Sequence, residues 1–183
     1  MPWKNYRDSK LDSFKKAVLE GKVDRPIMNL LEKINQNQDL VTLSSCSGRI
    51  DLLVFDMEKR KGDASHYAKW HEPVVPEELE MKLCSYTGKL PLWFKTEPFI
   101  LHVAAKDVDS ALQFMKKIRD SGVKRGGIQG IGKEHVVMEF QGTGVISFPV
   151  DPVRGEWNEF VKIANAMMRK NMELVKKLEK VEW

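Results

Sequence analysis

The chain has 183 residues, 42% of them hydrophobic and 31% charged, which is typical of one globular domain that buries its core without disulfides or metals. A net charge of +4 and a pI near 9.0 are mildly basic, so they allow a nucleic-acid partner without requiring one. Two isolated cysteines exclude a disulfide framework and a CxxC zinc site, and the lack of an apolar run of about 20 residues, or of a signal-peptide h-region, predicts a cytoplasmic protein.

The N-terminal part of the chain is predicted to form a helical hairpin over residues 3–38. Apolar residues recur at helical spacing up to Glu20, and Gly21 ends this first helix. Pro26 suits the first turn of a second helix, because its missing N–H is one of the donors that a helix start leaves unpaired anyway. Two amphipathic helices are therefore expected before the first strand.

A β-hairpin is predicted next, with a strand over residues 40–43, a polar turn over 44–48 and a return strand over 49–55. The second strand is apolar enough to be central in a sheet. Residues 57–65 are polar and include a glycine, so they predict a mobile loop. A short helix is predicted over 77–86, behind a proline.

A strongly strand-like segment over residues 91–105 follows, broken at Glu97-Pro98 because proline cannot donate a ladder hydrogen bond. Asp107 then caps a helix that Gly122 closes. Three short strands separated by glycines are predicted over 123–129, 135–140 and 145–150. A long amphipathic helix over 156–180 completes the pattern.

The order of these elements predicts an α+β fold with a mixed or antiparallel sheet and flanking helices. A doubly wound fold needs regular strand–helix alternation, which this order lacks. The glycine-rich stretch 126–132 follows a helix instead of opening one, so it does not match a Rossmann loop. We therefore expect a single domain over 1–183, with a sheet-containing body over 40–150.

The first candidate site is the run Ser44-Ser45-Cys46-Ser47-Gly48-Arg49. A turn of this composition exposes backbone N–H groups that can bind an anion, and Arg49 can hold a phosphate or carboxylate through two parallel hydrogen bonds. Serine and glycine also dominate ordinary turns, so a structural turn is the alternative. A hydrolase that uses Cys46 is a weaker hypothesis, because the sequence fixes no base beside the thiol.

A second candidate is the segment from His66 to His71, where Trp70 and His71 suit stacking on a nucleic-acid base and moving a proton. Two histidines five residues apart are a poor metal signature, so no metal is expected. The structural alternative is that Trp70 anchors the preceding loop to the core. For His71, the alternative is a hydrogen bond to a backbone carbonyl.

The strand-like segment around Glu97 supplies a third candidate. The break at Pro98 can aim the Glu97 carboxylate into a cleft. Strand alternation puts Ile100, His102 and Ala104 on one face. A histidine inside such a strand is expected to be a hydrogen-bonded structural residue.

Taken in order, these motifs resemble the tRNA methyltransferases of wybutosine synthesis that carry out the N4-methylation step. The family's serine-rich motif appears as Ser44 to Arg49, and its Trp-His pair as Trp70-His71. Its Glu-Pro-φ-φ-Leu-His-Val segment is present from Glu97 to Val103. Its Gly-Phe-Lys-x-Ser-Gly-Ile motif corresponds to Gly122 to Ile128, with valine for phenylalanine and Gly126 for serine. That departure removes any role for a hydroxyl at Gly126.

The resemblance implies transfer of a methyl group from S-adenosylmethionine to the N4 ring nitrogen of a 4-demethylwyosine-type base, with the 7-aminocarboxypropyl derivative as the expected substrate. The base derives from guanosine 37 of phenylalanine tRNA, so the implied partner is the anticodon loop of that tRNA. The resemblance also implies a compact α+β fold that differs from the usual Rossmann-type methyltransferase sheet. It further implies a cytoplasmic, single-domain enzyme of the archaeal type.

Residue chemistry and the resemblance together give three groups of expected site residues, without a metal ligand. The catalytic group is His71, Ser45 and Arg49. The cofactor-binding group is Ser44, Ser45, Cys46, Gly48, His102, Gly127 and Ile128. The substrate-binding group is Arg49, Trp70, Trp93, Glu97, Lys124 and Arg125. A neutral His71 is the expected acceptor of the ring proton, although other groups stay open for that role.

The alternative function is a non-catalytic RNA-binding module. Such a module would use the same basic and aromatic residues. It would not bind S-adenosylmethionine, and this property separates the two hypotheses. The sequence does not indicate an oligomeric state.

Overall fold

A computed structural model describes residues 2–55, 64–150 and 157–183. In chain order, its elements are α1 (Pro2–Leu19), α2 (Arg25–Gln36), β1 (Leu40–Thr42), β2 (Arg49–Val54), β3 (Ser65–Trp70), α3 (Pro76–Cys84), β4 (Leu92–Glu97), β5 (Ile100–Ala105), α4 (Val108–Asp120), β6 (Arg125–Ile131), β7 (Val136–Gln141), β8 (Ile146–Pro149) and α5 (Trp157–Leu178). The strands form two four-stranded antiparallel sheets, in the orders β1-β5-β7-β6 and β3-β2-β4-β8. The α+β prediction is confirmed.

Contacts group the chain into two compact units. The first comprises the described parts of Met1–Ser47, Phe99–Thr143 and Met172–Trp183, and the second those of Gly48–Pro98 and Gly144–Asn171. Each unit contains one of the two sheets, and α5 contributes its first part to the second unit and its end to the first. The expectation of a single domain over the whole chain stays a prediction.

The core of the first unit forms where amphipathic helices cover its sheet. Helix α2 buries Ile27, Leu30, Leu31 and Ile34, which recur every three or four residues. Helix α4 buries Ala111, Phe114 and Ile118 in the same cluster. Each fully buried leucine, isoleucine or phenylalanine among them contributes about 1.5–3 kcal/mol relative to an exposed one. The helical spacing of apolar residues therefore explains why both α2 and α4 form and why one face of each is buried.

A buried arginine joins the N-terminal helices to the sheet. Arg7 is the buried residue of α1, and its guanidinium donates to the backbone carbonyls of Asn35, Asn37 and Leu40 at 2.7–3.1 Å. The end of a helix leaves carbonyls without partners in the helix, and a cation there satisfies them. Arg7 thus links the end of α2 to the start of β1.

The second unit has one apolar and one polar sheet face. On the apolar face, Phe94 and Phe148 stack with ring centroids 5.3 Å apart, and Trp157 and Phe160 of α5 lie against them. The opposite face carries the charged residues of β2 and β4. Alternation along a strand produces this division, because successive side chains point to opposite faces.

The predicted hairpin over residues 40–55 is wrong. Strand β1 pairs with β5, while β2 lies in the other sheet between β3 and β4. After β1 the chain stays beside β5, since Leu43 N donates to His102 O and Cys46 exchanges two hydrogen bonds with Ile100. All three residues of β1 are buried, and pairing with a core strand achieves that burial better than a local hairpin.

The segment before His71 also differs from its prediction. Residues Ser65–Trp70 form β3, which pairs with β2, whereas the sequence indicated a loop as far as Ser65 and assigned no strand after it. The other residues of the predicted mobile loop, 57–63, lie outside the described residues, and Ala64 belongs to no helix or strand. Sequence periodicity missed β3 because its exposed edge position requires few apolar side chains.

The remaining predicted elements are present with small shifts at their ends. The Asp107 carboxylate accepts a hydrogen bond from Ser110 N at the start of α4, as a helix cap does. The glycine-rich stretch lies in strand β6 and in the turn after it, so the Rossmann reading is correctly excluded. Across the described ranges, no helix is long and apolar enough to cross a membrane.

Candidate functional site

The first part of the serine-rich motif, residues 44–47, lies beside β5 in the first unit and contains one extra residue. Thr42 pairs with Val103, but Cys46 bridges to Ile100, so the motif side has one residue more than β5. An extra residue interrupts the ladder and leaves backbone groups to be satisfied in another way. Ser45 does this, because its Oγ accepts from His102 N at 3.2 Å.

The His102 ring is held from both sides. Its Nδ1 lies 2.6 Å from the Ser44 carbonyl oxygen, and its Nε2 lies 2.7 Å from Glu139 Oε2. A carbonyl only accepts, so Nδ1 donates to it, and the Glu139 carboxylate lies within hydrogen-bond distance of Nε2. His102 is therefore a hydrogen-bonded histidine inside a strand, as its sequence position predicted.

Gly127 lies in one row with His102 and Glu139 across the first sheet. His102, Glu139 and Gly127 occupy paired positions on β5, β7 and β6. A Cβ at Gly127 would meet only the Met115 methyl group, at 3.9 Å, so the backbone beside Glu139 is open. A ligand can approach the sheet closely at this point.

Gly126 and Ile128 have different surroundings. Gly126 has φ of 112°, and a Cβ there would overlap the carbonyl oxygen of Glu139. The serine of the family motif therefore does not fit this backbone. Ile128 packs against the apolar core of the first unit, so it points away from the row formed by His102 and Gly127.

Lys124 and Arg125 are exposed at the start of β6. Beneath them, the Arg119 guanidinium donates to the backbone carbonyls of Lys124 and Gly126. This contact fixes the turn between α4 and β6. The two predicted phosphate-binding side chains thus extend from an ordered backbone.

Arg49 and Glu97 face each other across β2 and β4 in the second unit. Arg49 donates to Glu97 Oε2 from Nε at 2.8 Å and from Nη2 at 2.7 Å, while Lys95 Nζ donates to Oε1 at 2.7 Å. Burial alone raises the pKa of Glu97, but the Lys95 hydrogen bond and the charges of Arg49 and Lys95 outweigh it, so the pKa lies below its ordinary value. Glu97 is therefore ionised at neutral pH.

A second histidine–carboxylate pair lies on the same face and was missed in the sequence. Asp51 Oδ2 contacts His66 Nδ1 at 2.7 Å and lies 3.7 Å from Arg49 Nε. The Asp51 side chain is only 1% exposed, and its Oδ1 has no hydrogen-bond partner among the described residues. A carboxylate inside the apolar run Ile50-Asp51-Leu52-Leu53-Val54 was the available signal.

The predicted Trp-His pair has well-defined partners. Trp70 Nε1 donates to Glu78 of α3 at 2.7 Å. His71 Nδ1 lies 3.0 Å from the Gly48 carbonyl and donates to it, because a carbonyl has no proton to give. The carbonyl contact weighed as the alternative for His71 is thus present.

Trp93 contributes an aromatic surface at the end of the polar face. Its ring lies 5.0 Å from that of Phe55, measured between centroids. Its Nε1 is buried without a hydrogen-bond partner in the described part of the chain. A buried indole N–H usually has an acceptor, so this atom is suited to a ligand oxygen.

The predicted site residues divide between the two units. The first unit holds Ser44, Ser45, Cys46, His102, Lys124, Arg125, Gly127 and Ile128, and the second holds Gly48, Arg49, Trp70, His71, Trp93 and Glu97. Within the first, one sheet face brings Ser44, His102 and Gly127 together. Within the second, one face brings Arg49 and Glu97 together and adds Asp51 and His66.

This α+β fold, with a polar face on each of two antiparallel sheets and no Rossmann loop, defines a class of proteins outside the doubly wound enzymes. The profile of the family described as Methyltransferase TYW3 matches residues 3–181. The chain therefore belongs to the TYW3 methyltransferase family.

Relatives and a solved structure agree with this membership. The tRNA(Phe) 7-((3-amino-3-carboxypropyl)-4-demethylwyosine(37)-N(4))-methyltransferase of Thermococcus sibiricus is 33% identical over 175 residues, which cover 92% of this chain and 88% of that protein. A protein of the same name, numbered 1, from Thermococcus kodakarensis is 32% identical and covers 94% and 90%. The solved structure of the PH1069 protein from Pyrococcus horikoshii matches with a TM-score of 0.89 at 30% identity, covering 98% of this chain and 97% of that one.

Proposed function

We propose that this chain methylates the N4 ring nitrogen of a 4-demethylwyosine-type base at position 37 of phenylalanine tRNA. The observation that carries the proposal is family membership over residues 3–181, with relatives named for this reaction that align along nearly their whole length. We propose the 7-aminocarboxypropyl derivative as the substrate and the cytoplasm as the place of action.

The methyl donor in this proposal is S-adenosylmethionine, and we assign it to the first unit. Its sulfonium is a cation, and its ribose and amino-acid groups need hydrogen-bond partners. The row of Ser44, His102 and Gly127 lies beside the Glu139 carboxylate, which suits the sulfonium cation. Its serine groups and the open backbone at Gly127 can form the hydrogen bonds that the ribose and the amino-acid group need. Ser45 and Cys46 flank that row, whereas Ile128 supports it from the core side.

The tRNA in this proposal is held by the remaining residues. Lys124 and Arg125 supply cations for backbone phosphates. Trp93 supplies a ring for stacking and a buried N–H that lacks an acceptor among the described residues. Arg49 and Glu97 offer a charged, orientated pair for polar groups of the modified base.

The reaction makes limited demands on the protein. The methyl group of a sulfonium is already activated, so holding the two reactants in line supplies much of the rate. The ring nitrogen must also lose a proton, which a positioned base assists by about 10²–10⁴-fold. We propose Arg49 and Ser45 for orientation. We propose His71, the residue predicted from the sequence, as the acceptor of that proton.

A methyl-transfer assay tests the proposal. Purified protein, S-adenosylmethionine with a labelled methyl group, and phenylalanine tRNA carrying the 4-demethyl base should yield label in the tRNA. The control tRNA carries an unmodified guanosine 37 and should stay unlabelled. Calorimetry with S-adenosylmethionine separates the alternative function. Tight tRNA binding without cofactor binding or label would identify an RNA-binding module and contradict the enzyme.

A further inference from the structure

A strip of charged and polar side chains crosses the polar face of the second sheet. Strand register places Lys69 of β3 and Lys95 of β4 opposite Asp51 of β2, and it places Ser147 of β8 opposite Lys95. Residues directly opposite each other in an antiparallel pair point to the same face, and neighbouring strands lie about 4.8 Å apart. In this charged strip, an anionic side chain therefore lies between two cationic ones.

The two oxygens of the Asp51 carboxylate have different surroundings. Oδ2 lies 2.7 Å from His66 Nδ1 and 3.7 Å from Arg49 Nε. A bulge in β3 brings the imidazole to this face, because His66, and not Tyr67, lies opposite Leu53. Oδ1 has no hydrogen-bond partner among the described residues, although the side chain is only 1% exposed. A buried carboxylate oxygen is costly without a donor, so Oδ1 is suited to a ligand that supplies one.

The two lysines of the charged strip differ in their partners. Lys95 Nζ donates to Glu97 Oε1 at 2.7 Å, so a carboxylate already compensates its charge. Lys69 is exposed, and its strand β3 is at the edge of the sheet with Asp51 as the opposite residue. Its long side chain is flexible and can move to admit a ligand to Oδ1. The Lys69 ammonium group can then bind an anion that lies next to Asp51.

An acceptor beside a cation is the arrangement that an α-amino acid requires. The ammonium and carboxylate groups of such a ligand are attached to one carbon atom, so their partners must be adjacent in the protein. Asp51 supplies the acceptor, and Lys69 supplies the cation from the neighbouring strand. The 3-amino-3-carboxypropyl group is a zwitterion of this kind, and the relatives are named for a base that carries it.

We propose that Asp51 and Lys69 bind the 3-amino-3-carboxypropyl group of the tRNA base, with its ammonium at Asp51 Oδ1 and its carboxylate at Lys69 Nζ. This inference rests on the proposed function, and it makes the two residues determinants of substrate specificity. Trp93, which we assign to stacking on the base, lies opposite Leu53 on the same face. Leu53 follows Asp51 by two residues, or about 7 Å along the strand, so the propyl chain can reach from a stacked ring to the charged strip.

Binding of two phenylalanine tRNAs tests this assignment. Both carry a 4-demethylwyosine-type base at position 37, and only one has the 3-amino-3-carboxypropyl group. In filter binding without cofactor, the wild type should bind the tRNA with the group roughly 10–100-fold more tightly, because charge-assisted hydrogen bonds are the stronger ones. Lys69→Ala and Asp51→Asn should each reduce this preference by roughly tenfold. Affinity for the tRNA without the group should stay within about twofold.

Two further variants sharpen the measurement. Lys69→Arg keeps the cation and should keep most of the preference. Lys89→Ala is the matched control, because it removes an exposed lysine of the same unit and should bind both tRNAs as the wild type does. Since Lys69 is exposed, its variants test the inference even if Asp51→Asn disturbs folding, which far-UV circular dichroism detects.

The results that would overturn the inference differ from one another. An equal loss of affinity for both tRNAs in Lys69→Ala would identify a contact with an RNA phosphate instead. S-adenosylmethionine carries the same 3-amino-3-carboxypropyl group, so weaker cofactor binding in calorimetry, with the tRNA preference unchanged, would identify the donor as the ligand of this face. Equal binding of both tRNAs by the wild type would also contradict the inference. Failure of the wild type to methylate either tRNA would instead overturn the proposed function.

Discussion

Each unit carries a histidine–carboxylate pair on the polar face of its sheet, and the two pairs use the imidazole differently. In the first unit, His102 is held at both nitrogens, by the Ser44 carbonyl and by Glu139. In the second, His66 is held at Nδ1 by Asp51. A ring with partners at both nitrogens is fixed along its whole length, whereas a ring with a partner at Nδ1 is fixed at one end. The same two side chains thus hold the imidazole to different extents in the two sheets.

The largest effect is expected from Arg49→Ala, which removes the cation between the Asp51 and Glu97 carboxylates. Methyl transfer should fall by roughly 10²–10⁴-fold, since charge-assisted hydrogen bonds contribute roughly 1.5–3 kcal/mol each and two are lost. The assay is single-turnover transfer, with far-UV circular dichroism to establish folding. Lys89→Ala, an exposed position in the same unit, is the control and should keep full activity. If a folded Arg49→Ala protein transferred methyl groups at the wild-type rate, the polar face of the second unit would take no part in the reaction.

The next largest effect concerns the β6 backbone at Gly126, next to the row that contains His102. Gly126→Ser restores the family's residue, but φ of 112° and the overlap with the Glu139 carbonyl predict a loss of about 2–3 kcal/mol in the free energy of unfolding. Urea denaturation measures it. Gly130→Ser is a matched control, because a Cβ at Gly130 meets nothing within 4 Å and its cost should be small. Equal stability of the two variants would show that the β6 backbone adapts freely.

A smaller effect is expected on acid stability in the second unit. The folded-state pKa of Glu97 is lowered, with burial opposing the Lys95 and Arg49 interactions that lower it. The stabilisation by ionised Glu97 is therefore present above its ordinary pKa of 4.5 and is lost as pH falls through the lower folded-state value. The free energy of unfolding, measured with urea at pH 7 and below pH 4.5, should decrease less between these pH values in Glu97→Gln than in the wild type. The exposed Glu80→Gln should follow the wild-type curve, and identical curves for all three proteins would contradict the assignment.

The sequence was most informative where structure is local. Helices α2 and α4 follow from apolar spacing and from the Asp107 cap, and the structural role of His102 follows from its place inside a strand. Prediction from the sequence failed where a strand pairs with a strand that is distant along the chain. Strand β1 pairs with β5, about sixty positions later, so the intervening serine motif resembled a hairpin turn.

The second histidine pair shows the same limit at the level of the site. Asp51 was visible as a carboxylate in an apolar strand, but nothing in the sequence shows that His66 faces it. That contact depends on one bulge in β3, a strand whose polar residues gave no periodic signal. Register irregularities are set by tertiary pairing, so the residues that they bring together cannot be read from spacing alone.

The smallest predicted effect distinguishes the role of exposed Arg125, at the start of β6, from that of the row formed by Ser44, His102 and Gly127. If exposed Arg125 meets one phosphate, tRNA binding should weaken with salt, and Arg125→Ala should reduce the slope of log affinity against log salt by about one unit. Filter binding between about 50 and 200 mM salt measures this slope, because counterion release dominates the dependence in that range. Lys116→Ala is the control, since Lys116 is exposed on α4 but paired with Asp120 at 2.8 Å, and it should leave the slope unchanged. Affinity at low salt should fall several-fold in Arg125→Ala, whereas cofactor binding measured by calorimetry should not change, because the Ser44, His102 and Gly127 row is left intact. A slope equal to that of the wild type would place Arg125 away from the RNA, and a loss of cofactor affinity would place it in the row instead.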